Sequence, residues 1–130
     1  MKEKIIWVID DDMVSQFAMR YKIEQSYQNY LVKGFYSVEE ALTAIKECLK
    51  MQKDLPNKLI LDLVLPGLSG WDFLEELDNL QGNIDALEIY VVSAFSNAKD
   101  RKLVKKHPRV VNHFTKPLNK VSVDKMFIPI

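Results

Sequence analysis

The sequence predicts an α/β fold: a five-stranded, parallel, doubly wound sheet with helices on both faces. Three observations predict it. Short apolar runs alternate with longer amphipathic segments five times along the chain. The short runs are rich in Val, Ile, Leu and Tyr and are mostly continuous, as strands buried on both faces should be. Regular strand–helix alternation implies right-handed crossovers, and hence parallel pairing. A length of 130 residues suits a single domain, residues 1–130, with its own core.

Taken in order, strands are expected at residues 5–9, 30–36, 58–61, 86–92 and 110–115. After the first strand, Asp12 is placed to cap a helix. Val14, Phe17, Ala18 and Tyr21 recur there at helical spacing, so this stripe is expected to face the core. In the second helix the stripe is Val38, Ala41, Leu42 and Ile45. Ser37, three residues before Glu40, gives that helix a capping-box signature. Cys48 sits at the stripe's edge and reads as a packing residue. Residues 50–57 read as an extended loop. Trp71, Leu74 and Leu77 mark a third helix starting just after Gly70. Residues 97–106 form a fourth, highly charged helix ended by Pro108, and residues 119–127 a short fifth.

Composition excludes several function classes. Eighteen basic residues balance eighteen acidic ones, so nothing global attracts nucleic acid or an anionic membrane. Lys99, Arg101, Lys102, Lys105, Lys106 and Arg109 spread around a helix without interleaved aromatics, which reads as a solvated face. No apolar run reaches the length of a bilayer span, and no signal-peptide pattern precedes the first strand. With Cys48 alone, no intrachain disulfide can form, and a reducing cytoplasm is the expected setting.

Chemistry is expected at the carboxyl ends of the strands, where open parallel sheets bind ligands. The first strand ends in Asp10-Asp11-Asp12, the third in Asp62, the fourth in Ser93 and the fifth in Lys116. Each has a plain alternative, such as a solvated loop charge or a cap. Together they bring carboxylates, a hydroxyl and an ammonium to one sheet edge. Clustered carboxylates form an oxygen-rich site suited to Mg²⁺, and a carboxylate can act as a nucleophile toward phosphorus. An ammonium and a hydroxyl would stabilise the charge on a transferring phosphoryl group.

Four segments carry a resemblance to a known family. They are Ile5-Ile6-Trp7-Val8-Ile9-Asp10-Asp11-Asp12, the run Leu59-Ile60-Leu61-Asp62-Leu63-Val64-Leu65-Pro66-Gly67-Leu68-Ser69-Gly70, then Tyr90-Val91-Val92-Ser93-Ala94, and Phe114-Thr115-Lys116-Pro117. The set resembles the receiver domains of bacterial response regulators, of the single-domain type without an output domain, over nearly the whole chain. The resemblance implies a flavodoxin-like sheet of strand order 2-1-3-4-5. It also implies a two-component signalling protein rather than a metabolic enzyme, one that assists its own Mg²⁺-dependent phosphorylation and slow dephosphorylation. Asp62 matches the phosphoacceptor. Asp11, Asp62 and the Val64 backbone carbonyl match the Mg²⁺ ligands, with Asp10 acting through water. Lys116 matches the catalytic lysine, with a cis bond to Pro117. Ser93 matches the hydroxyl residue of the switch.

The implied partners are a histidine kinase or histidine phosphotransfer protein as donor, and a downstream protein read by the face from Asn97 to Phe127. Some positions depart from the pattern. His113 stands where an aromatic switch residue is usual, and Ser69 replaces a more usual Asp or Asn. Val64 and Phe95 place apolar groups beside the path of a hydrolytic water. Two other readings compete. A phosphatase of haloacid-dehalogenase type would use Asp10 as nucleophile but leaves Asp62 unexplained. A phosphorylation-independent binding module would not need the full set of acids and lysine.

Overall fold

The computed structural model describes residues 4–80, 82, 84–94 and 98–127. Phe95 and Asn97 therefore lie outside the described residues. Ten elements alternate: β1 (Lys4–Ile9), α1 (Met13–Ser26), β2 (Tyr30–Phe35), α2 (Val38–Lys50), β3 (Lys58–Leu61), α3 (Gly70–Asp78), β4 (Glu88–Ser93), α4 (Ala98–Lys106), β5 (Val110–Thr115) and α5 (Lys120–Phe127). All pairings are parallel and the strand order is β2-β1-β3-β4-β5. The expected sheet is therefore present. β4 begins two residues later than expected and includes Ser93 as its last residue.

Continuous apolar runs fit the inner strands, because β1, β3 and β4 are covered on both faces. One layer packs Trp7, Ile9, Leu59, Leu61 and Ile89 against α2 and α3. The other packs Ile6, Val8, Ile60, Tyr90 and Val92 against α1 and α5. β2 and β5 are edge strands and expose more of their length. The second helix buries its predicted stripe of Val38, Ala41, Leu42 and Ile45, and Cys48 packs half-buried at its margin. Leu74 and Leu77 of α3 are buried as expected, while Trp71 is half-buried and Phe73 joins the core.

The first helix overturns one expectation. Val14, Phe17 and Tyr21 are 76%, 71% and 54% exposed, Ala18 is exposed too, and the buried residues are Gln16, Met19 and Ile23. The reason is local: Asp12 caps the helix by accepting from Val14 N at 2.9 Å. That start turns Ser15 toward Asp10 and Gln16 toward the strand ends, where each finds hydrogen-bond partners. Met19 and Ile23 then complete the inward row.

Capping follows the sequence only in part. Ser37 accepts from Glu40 N, but the Glu40 carboxylate accepts from Tyr36 N, one residue before the expected partner. A complete capping box sits instead at Ser69 and Asp72 on α3. The middle of α5 is tied down by the Tyr27 hydroxyl, which donates to Asp124 at 2.7 Å. That bond, with a smaller contribution from burial, pushes the Tyr27 pKa up to about 12; the same bond, joined by the Lys120 ammonium, lowers that of Asp124. Among the described residues no helix is long and apolar enough to cross a membrane.

Candidate functional site

Strand order reverses between β1 and β3, and ligands in such sheets bind where it does. Asp10 follows β1 and Asp62 follows β3 directly. Ser93 ends β4 and Lys116 follows β5, so four adjacent strands deliver these residues to one edge. Asp10 is 0% exposed, Asp62 7% and Ser93 2%. Two carboxylates at such burial repel each other unless a cation compensates them.

Lys116 is that cation. Its ammonium donates to Asp10 Oδ2 and to Asp62 Oδ2, each at 2.7 Å. Burial alone would pull the lysine pKa down. The hydrogen bonds to Asp10 and Asp62 outweigh that effect and hold it above the ordinary value. The peptide bond to Pro117 is cis, as the resemblance implies.

The remaining carboxylate oxygens are also occupied. Ser93 Oγ donates to Asp62 Oδ1 at 3.2 Å, and Val64 N donates to the same oxygen at 3.1 Å. Asp10 Oδ1 accepts from Asp12 N at 3.0 Å, and Oδ2 also accepts from Ser15 Oγ at 2.8 Å. One carboxylate oxygen from each of Asp10, Asp11 and Asp62 lies within 4.8 Å of the others. Such a set of hard oxygen donors, one of them on exposed Asp11, fits a hard divalent cation of the size of Mg²⁺.

The β3–α3 loop holds Asp62 through a close backbone approach. Gly70 N donates to Leu63 O at 3.0 Å. A Cβ at position 70 would stand 2.5 Å from Asp62 O and 2.7 Å from Leu63 Cα. Only glycine admits that contact, which gives the Gly70 of the sequence pattern its physical reason.

Of the expected site residues, Asp10, Asp62, Ser93 and Lys116 meet through direct hydrogen bonds, and Asp11 stands beside them. Val64 contributes its N–H, while its side chain is 75% exposed. His113 is half-buried on β5, opposite Val91 and two positions from the Ser93–Thr115 pair.

Sequence reasoning missed two residues. Ser15 holds the Asp10 carboxylate. Buried Gln16 donates from Nε2 to Asp10 O at 2.9 Å and Phe35 O at 2.6 Å, with a longer contact to Val8 O at 3.4 Å. A polar residue inside a helix that follows an acidic strand end was the available signal. Its accommodation depends on Gly34, where a Cβ would lie 1.8 Å from Gln16 Oε1.

Comparison with known proteins agrees with this geometry. The family model described as response regulator receiver domain matches residues 6–127. A two-component response regulator from Cytophaga hutchinsonii superposes with a TM-score of 0.84 at 18% identity, covering 98% of this chain and 96% of that one. One from Legionella pneumophila gives 0.78 at 26% identity, covering 97% and 95%. The response regulator TrrA from Thermotoga maritima, solved in complex with Mg²⁺-BeF, gives 0.73 at 20% identity, covering 95% of each chain. No curated protein sequence matches the chain. A parallel 2-1-3-4-5 sheet, acids and a lysine converging at its switch point, and a family match over residues 6–127 lead to one conclusion: the chain belongs to the response regulator receiver domain family of two-component signalling proteins.

Proposed function

We propose that the chain accepts a phosphoryl group on Asp62 from a phosphohistidine donor, a histidine kinase or histidine phosphotransfer protein, and signals to a partner by changing conformation. One observation carries this reading. The buried Asp62 carboxylate has Lys116 on one oxygen and Ser93 and Val64 N on the other, and it faces Asp10 and Asp11. The P–N bond of the donor breaks as a P–O bond to Asp62 forms, and the electron pair returns to the imidazole. Asp11, Asp62 and the Val64 carbonyl would hold Mg²⁺, with Asp10 acting through water. When bound, the metal neutralises charge between the acids and the incoming group. Lys116 would turn from the carboxylates to a phosphoryl oxygen, and Ser93 would take another.

The apolar face of α1 supports docking of the donor protein beside the site. Met13, Val14 and Phe17 stand exposed within the two turns that follow Asp11 and Asp12. A donor seated there would bring its imidazole to the sheet edge. Movement of Ser93 is the proposed switch, with His113 as the coupled ring, and the output is read through residues 97–127. The lone, half-buried Cys48 is consistent with a cytoplasmic setting.

The test is chemical. Protein treated with acetyl phosphate and Mg²⁺, trapped with borohydride and digested, should carry its label on Asp62 by mass spectrometry. Asp62→Asn should abolish labelling and Asp10→Asn should not relocate it. Label that persists on Asp10 in Asp62→Asn would overturn the assignment.

A further inference from the structure

Charge on this molecule balances in sum but is sharply divided in space. Within α3 stand four acids, Asp72, Glu75, Glu76 and Asp78, and no base. Within α4 stand five bases, Lys99, Arg101, Lys102, Lys105 and Lys106, against the single acid Asp100. The two helices lie on the same face of the sheet, since Val104 of α4 packs with Leu63 and Val91 beside Trp71 of α3.

The five α4 bases are exposed and make no ion pair among the described residues. With Val104 turned inward, Lys99, Lys102 and Lys106 recur at helical spacing on the outward side. Arg109, just past α4, does reach α3, pairing with Asp78 at 2.6 Å. Opposite charges therefore flank one seam, which the Arg109–Asp78 pair crosses. Beside it stand half-buried Trp71 of α3 and Leu103 of α4, the latter 49% exposed. Trp71 and Asp100 also line a cleft together with Val64 and Ser93.

We propose that this face pairs with a second copy of the chain about a two-fold axis along the seam, setting α3 of each copy against α4 of the other. Such an interface is isologous, so one complementary contact is made twice. A uniformly acidic partner, nucleic acid included, would be drawn to α4 but repelled by Glu75 and Asp78 beside it. A second copy satisfies both arrays at once. Net charge is zero, so no overall repulsion opposes the encounter. Trp71 and Leu103 supply the apolar centre that a charged rim needs, and the charges set register and partner choice.

Sedimentation equilibrium of the purified chain tests this. Wild type should show a monomer–dimer equilibrium at low salt that shifts to monomer near 1 M salt, where the Debye length is about 3 Å. Two variants reverse one array each: Lys99→Glu with Lys102→Glu and Lys106→Glu, or Glu75→Lys with Asp78→Lys. Each should dimerise about tenfold or more weakly by itself, with circular dichroism confirming its fold. Mixed in equal amounts they should recover the dimer, because both contacts in the mixed pair again join opposite charges. A wild type that stays monomeric, a reversed variant that dimerises as tightly as wild type, or a mixture that stays monomeric would each overturn the proposal.

Discussion

Replacing Gly34 with alanine should destabilise this protein by about 2 kcal/mol, and it should do so only while Gln16 is present. The added Cβ would stand 1.8 Å from Gln16 Oε1, and its three nearest heavy atoms all belong to that side chain. The amide must therefore leave its place. Asp10 O then loses the hydrogen bond from Gln16 Nε2, and Phe35 O keeps only its bond from Asp10 N. A buried carbonyl left without a donor costs about 1–3 kcal/mol. Gln16→Ala removes the same bonds and should cost about as much. In that background the Cβ has room, and position 34 does not use the left-handed backbone region. There Gly34→Ala should be neutral, or should stabilise by up to about 1 kcal/mol through the unfolded chain. The double variant should thus fall about 2 kcal/mol or more short of additivity. Urea unfolding of the four proteins measures this as shifts in midpoint at constant slope. Additive losses would refute the argument, because they would mean that Gly34 matters for a reason other than Gln16.

Three further outcomes follow from the same geometry. Asp11→Ala should weaken Mg²⁺ binding by about tenfold or more, about 1.4 kcal/mol, while Asp12→Ala mainly loses a helix cap worth about 1 kcal/mol; equal effects in a Mg²⁺ titration would place the metal elsewhere. Val64→Asn should speed loss of the phosphoryl group from purified phosphoprotein, because an amide at this exposed position can orient water and the valine cannot; unchanged release would show that water enters by another path. Tyr27 keeps its proton to about pH 12 when folded, against an ordinary value of 10.0. Its contribution is thus present below pH 10 and lost as pH rises toward 12, and stability in that window should fall less steeply in Tyr27→Phe than in wild type, a difference that alkaline unfolding curves would reveal.

Most of the fold was legible because burial on both faces leaves an unmistakable record in β1, β3 and β4. The edge strands wrote a weaker one, yet β2 and β5 still carried enough Val, Leu, Tyr and Phe to be found. The acids, Ser93 and Lys116 were legible for a different reason: each ends a strand or stands just past one, and parallel topology brings strand ends together whatever lies between. What the sequence could not show was the support beneath them. Ser15 and Gln16 act through contacts to Asp10, and Gly34 acts by leaving space for Gln16. A space has no sequence signature of its own. The capping box at Ser69 escaped because its second member is Asp72, shorter than the usual Glu or Gln.

The inverted first helix follows from competition between two apolar rows. Val14, Phe17, Ala18 and Tyr21 form the larger one, so periodicity alone favours turning it inward. The smaller row, Met19 and Ile23, won because Gln16 continues it toward the strand ends and finds carbonyl partners there. Turning the larger row inward would send the Gln16 amide to solvent, leave Asp10 O without its donor and pull Ser15 off the Asp10 carboxylate. Those losses fall on the candidate phosphorylation site itself, whereas the outward stripe leaves an apolar patch in water. A patch of that kind is unusual on a monomer unless a partner covers it. Sequence reasoning from hydrophobic pattern thus failed at the helix where polar contacts fix the site, and the same contacts turned an apolar surface to solvent beside the strand ends.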